Sequence, residues 1–114
     1  MRDQALGRLK QGVMNKTEQA YSDHLEMLKQ TGFVLWFEFE GVTFKVAKDC
    51  RYTPDFIVMT SARELECHEV KGFWRDEARA KIKMAADKFH PFRFISVMQK
   101  AKKNGGGWAY EVFG

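Results

Sequence analysis

A chain of 114 residues, 45% hydrophobic and 14% aromatic, fits one domain, and its ten Phe, three Trp and three Tyr suffice for a buried core. Charged residues make up 30%, and the longest apolar run, Phe33 to Phe37, falls far short of the roughly 18 residues of a membrane span. The net charge of +4 suits either a polyanionic partner or a solvated lysine-rich surface, and Cys50 and Cys67 share no CxxC or Cys/His spacing, which argues against structural zinc.

The N-terminal stretch, with Arg2, Arg8 and Lys10, lacks the apolar centre of a secretory signal and predicts a cytoplasmic protein. Residues 1–14 are the least patterned and read as a mobile arm or a short helix. From Lys16 to Gln30, Tyr21, Leu25 and Leu28 form an apolar stripe at helical period, with Asn15 as N-cap and Gly32 just past the C-terminus. Phe33 to Glu40 reads as a strand broken at Gly41. Val42, Phe44 and Val46 then alternate with Thr43, Lys45 and Ala47, which predicts two antiparallel strands joined near Gly41. A second hairpin is expected from Phe56–Thr60 and Leu65–Lys71. Arg75 to Phe89 forms a helix with Ala78, Ile82, Ala85 and Phe89 inward, closed by Pro91. Phe92 to Met98 is a strand, Lys100 to Gly107 a basic glycine-rich loop, and Trp108 to Phe113 a last strand. Helix, four strands, helix, one or two strands is an α/β or α+β domain with a central mixed sheet flanked by helices.

The informative stretch is Tyr52-Thr53-Pro54-Asp55-Phe56, followed by Glu69-Val70-Lys71. If the hairpin turns at 61–63, Thr60 pairs with Glu64 and Asp55 falls opposite Glu69, their Cβ atoms roughly 5 Å apart. Period two places Lys71 on the same face. Asp55, Ile57, Met59, Leu65, Cys67, Glu69 and Lys71 share that face. The other carries Thr60, Glu64, Glu66 and His68, and reads as wetter. Charges at the rim of a buried face must pair or hold a metal. A hard divalent cation such as Mg²⁺ relieves the repulsion of two carboxylates and keeps waters, one of which can serve as nucleophile. Lys71 could position that water or stabilise charge on a phosphate. The alternative is an Asp–Lys–Glu network across a hairpin.

Pro54-Asp55, thirteen intervening residues and Glu69-Val70-Lys71 resemble the signature of the PD-(D/E)XK nuclease superfamily, and the extended forms YTPDF and HEVKG strengthen the likeness. The resemblance covers roughly Asn15 to Val97 and is greatest with small phage-encoded endonucleases and Holliday junction resolvase-like proteins. It implies a restriction-endonuclease-like core, with Asp55, Glu69 and the Val70 carbonyl as ligands of Mg²⁺ or Mn²⁺ and Lys71 as the catalytic lysine. Glu18 would be the first-helix carboxylate directed at the metal or its water. Glu18 also fits a capping box with Asn15, but its spacing of three and seven from Tyr21 and Leu25 turns it toward the sheet.

The same resemblance makes the basic residues of the second helix, Arg75, Arg79 and Lys83, phosphate contacts. Arg51 before the site strand and Lys100, Lys102 and Lys103 in the late loop are further candidates, against ordinary solvation. Trp74 would pack a core or stack on a base. His24, His68 and His90 share no ligand spacing. The expected function is metal-dependent endonucleolytic hydrolysis of DNA, including structured or branched DNA of phage replication or recombination, with a homodimer where two strands are cut. The alternatives are a non-cleaving DNA-binding module and a structural accessory of a phage packaging or recombination complex.

Overall fold

The computed structural model describes residues 12–71 and 76–114, with the side chains of 76–78 left aside. Residues 1–11 of the expected arm, with its basic residues, and Trp74, Arg75 and the side chain of the inward Ala78 therefore lie outside the described residues.

Helix α1, Lys16–Gln30, starts where the Asn15 side chain accepts from the Glu18 N–H, and Glu18 answers by accepting the Asn15 N–H, a complete capping box. It ends at Thr31, and Gly32 takes the left-handed turn (φ 89°) that a side chain would resist. Strands β1 (Val34–Phe39), β4 (Phe56–Thr60), β5 (Leu65–Lys71), β6 (Arg93–Gln99) and β7 (Trp108–Val112) form a mixed sheet in the order β1-β4-β5-β6-β7, parallel only between β5 and β6. A separate two-stranded sheet joins β2 (Phe44–Ala47) to β3 (Cys50–Tyr52). Helix α2 is Asp76–Lys88, and a short 3-10 turn, Lys102–Asn104, interrupts the basic loop.

The α+β class with a central mixed sheet is as expected, but the pairing at Gly41 is not. β1 pairs with β4 instead of β2, and the ladder continues as the Glu40 N–H donates to the Asp55 carbonyl at 2.8 Å. Glu40 then turns through φ 50°. Gly41 passes so close that a Cβ there would lie 2.9 Å from both Glu38 Cβ and Ile57 Cγ2. The chain leaves the main sheet here, and Phe44 and Val46 bury themselves under α2 with Tyr52, Ile82, Ala85 and Phe94. Five strands, not four, thus precede α2.

Strand alternation divides the core. Tyr21 and Leu25 of α1 pack on Phe56, Val58, Val70, Ile95 and Val97, whereas α2 covers Cys67 and Phe94 on the opposite face. Both Tyr21 and Leu25 are fully buried, each worth about 1.5–3 kcal/mol of apolar transfer. No helix among the described residues is long and apolar enough to cross a membrane.

Candidate functional site

The β4–β5 ladder runs Phe56↔His68, Ile57↔Cys67, Val58↔Glu66 and Met59↔Leu65 without a shift, and the turn closes as the Thr60 N–H donates to the Glu64 carbonyl. Continued one step past Phe56, this register sets Asp55 opposite Glu69, as the spacing predicts. Asp55 is 4% exposed, and its Oδ2 accepts the Val70 N–H at 2.8 Å. Glu69 is 8% exposed. Its Oε1 accepts from the Tyr52 hydroxyl at 2.8 Å, and its Oε2 meets Lys71 Nζ at 2.9 Å. Three separate segments, β3, the start of β4 and the end of β5, therefore converge on one carboxylate pair.

The electrostatics follow from that crowding. Burial raises the Asp55 carboxyl well above its ordinary range, the charges of Glu69 and Glu18 push it further, and the Val70 N–H and Lys71 only partly oppose them. Burial works to lower the Lys71 ammonium, yet Glu69, Asp55 and Glu18 together overcome it and leave its pKa raised. Tyr52 is raised by burial and then by Glu69, so it stays a protonated donor.

Glu18 is 4% exposed at the first turn of α1. The cap and a position near the carboxylates are compatible: the one side chain caps the helix and also acts electrostatically on Asp55 and Lys71.

Asp55 and Glu69 have the hard oxygen donors and the mutual repulsion that suit a divalent cation, and the Val70 carbonyl lies on the same strand end. Among the described residues, however, no group of three or more His, Cys, Asp and Glu is arranged around a common centre. Glu69 turns its oxygens to Tyr52 and Lys71, so a cation would have to share them.

The face expected to be wet is so only toward the turn: Glu64 is exposed and Thr60 and Glu66 are half-buried, but His68 is buried. His68 is 5% exposed; its Nδ1 lies 2.6 Å from the Tyr21 hydroxyl and its Nε2 2.9 Å from Glu66 Oε1. An ionised Glu66 only accepts, so Nε2 carries the proton and, in the neutral ring, Nδ1 accepts from Tyr21. Alternation marks a polar face but not a helix laid over it from 47 residues away. Cys67 and Cys50 are free thiols, and burial beside Glu66 pushes Cys67 up to about 12.

Of the predicted basic residues, Arg51, Lys83, Lys100, Lys102 and Lys103 are exposed. β5 and β6 run parallel with Lys71 beside Met98, so the loop carrying Lys100, Lys102 and Lys103 leaves the same end of the sheet as the carboxylates. Arg79 is engaged elsewhere: its guanidinium grips Glu111 at 3.0 and 2.8 Å and lies 5.3 Å over the Phe113 ring, pinning α2 to β7. Tyr52 is the site residue that sequence reasoning did not single out; its one signal is an aromatic three residues before Asp55. No protein-family model matches the chain, and no curated protein or solved structure matches it.

Proposed function

We propose that the chain is a Mg²⁺- or Mn²⁺-dependent endonuclease that hydrolyses phosphodiester bonds in DNA. The convergence of buried Asp55 and Glu69 beside Lys71 carries this reading, and the PD…EVK resemblance and the mixed sheet with a helix on each face support it. Asp55, Glu69 and the Val70 carbonyl would hold the cation, with Glu18 behind Asp55. When bound, it supplies Lewis acidity toward the phosphate and a nucleophile at neutral pH.

The chain's own groups do the rest. Tyr52 fixes the rotation of Glu69. Lys71, its pKa raised, acts as a permanent cation and donor that orients a water or meets charge developing on a phosphate oxygen, not as a base. Branched or structured DNA of phage replication or recombination, in a host cytoplasm, is the substrate setting that the resemblance implies. Cutting both strands would need a homodimer.

A panel of labelled DNA and RNA substrates with Mg²⁺ or Mn²⁺ tests the proposal. Wild type cleaves DNA only with metal, and Asp55→Ala and Lys71→Ala lose more than about 100-fold. Undiminished cleavage by both variants would sink it. The second reading, a non-cleaving DNA-binding module or structural accessory of a phage complex, is favoured by one observation: both oxygens of Glu69 already have protein partners. Calorimetry showing no Mg²⁺ or Mn²⁺ binding would select it.

A further inference from the structure

The β2–β3 ribbon buries one face and offers the other to solvent. Phe44, Val46 and Tyr52 enter the core under α2, while Lys45 and Arg51 face outward, both exposed and directly opposed in the register. Like charges set directly across a strand pair disfavour it. Among the described residues neither cation has a carboxylate partner within ion-pair distance. Two steps along the same register, and so on the same face, the hydroxyls of Thr43 and Thr53 lie 2.8 Å apart. That bond uses one hydroxyl hydrogen and leaves the other to donate outward. Lys48 and Asp49 form the turn, so Asp49 is the only acid against three cations in 44–52.

Two aligned cations followed by an outward hydroxyl donor is the chemistry of a phosphodiester backbone contact. The ribbon also runs directly into the carboxylate cluster. Asp55 lies only four positions after Arg51, at most about 14 Å of extended chain. A strand bound at Asp55 and Glu69 therefore passes within a few phosphates of Lys45 and Arg51.

We propose that the outer face of the β2–β3 ribbon, through Lys45, Arg51 and the Thr43–Thr53 hydroxyl pair, binds the sugar–phosphate backbone of DNA and leads one strand to Asp55 and Glu69. The inference rests on the DNA-directed reading above, but the binding is independent of cleavage and is measured without metal.

The experiment is fluorescence anisotropy of a short labelled DNA duplex in EDTA across a salt series. It compares wild type, Lys45→Gln/Arg51→Gln and a control, Arg63→Gln/Arg93→Gln, which removes the same charge at the far end of the β4–β5 hairpin. The ribbon variant binds at least about tenfold more weakly at ~0.1 M salt, and its log–log salt slope is shallower by about 1.8, roughly 0.9 per lost contact. The control keeps the wild-type slope. Single Lys45→Gln and Arg51→Gln variants each lose about half of the change and stand in should the double variant misfold. An unchanged slope in the ribbon variants, an equal loss in the control, or no duplex binding by wild type overturns the proposal. Cleavage lost in Asp55→Ala with the ribbon slope unchanged would leave the nuclease reading standing without it.

Discussion

On one face of β5, His68 sits between Tyr21 and Glu66 in a chain of hydrogen bonds in which each donor meets an acceptor. On the other, one residue along the strand, Glu69 shares a buried site with Asp55, with Glu18 nearby and Lys71 as the counter-charge. The first cluster is closed: each of its side chains finds a hydrogen-bond partner, and Tyr21 is held protonated by its burial. The second stays open to a proton or a cation: burial raises the Asp55 carboxyl, the like charges of Glu69 and Glu18 push it further, and Lys71 only partly opposes them. Buried polarity alone therefore does not single out a candidate site; like charges crowded together in a buried place do, because they favour uptake of a proton or a cation.

The contrast can be broken most sharply at the two tyrosines. Tyr52→Phe frees Glu69 to rotate, and Mn²⁺ affinity measured by calorimetry falls by about 10- to 100-fold. Tyr21→Phe strips a partner from buried His68 and lowers stability to urea by about 1–2 kcal/mol, with Mn²⁺ affinity unchanged. If the two variants exchanged these effects, the division between closed and open clusters would fail. The smallest effect is a pH dependence. Folding raises the Asp55 pKa, so its contribution to stability is complete below the unfolded value near 3.8 and is lost as pH rises through the folded value. Asp55→Asn keeps an amide oxygen for the Val70 N–H and removes that loss. Without metal it melts several degrees above wild type at neutral pH, the gap closing in acid; a lower melting point at neutral pH would contradict the electrostatic account.

Local rules made much of this visible. Asn15, Glu18 and Gly32 bound α1 through caps that involve only neighbours in the chain, and the Asp55–Glu69 register follows from one tight turn at 61–63. Contacts between distant segments were out of reach. The strand ending at Gly41 looked ready to pair with its successor, yet β4 takes that edge. β3 has only three residues and no periodicity to read. Tyr52 reaches Glu69 only because the ribbon folds under α2, and Arg79 is drawn to Glu111 across a separation of 32 residues. The roles proposed for Asp55, Glu69 and Lys71 rest on motif and spacing together; periodicity alone fits an ion network equally well.

β5 is bonded on both sides, antiparallel to β4 and parallel to β6, whereas the β2–β3 ribbon has only two strands. Backbone amides in the middle of β5 are accordingly expected to exchange with solvent through opening of the whole domain, and those of the ribbon through small local openings. Glu69 is thus carried on the strand expected to open most slowly, beside a ribbon expected to open most readily, a rigid anvil next to a yielding edge.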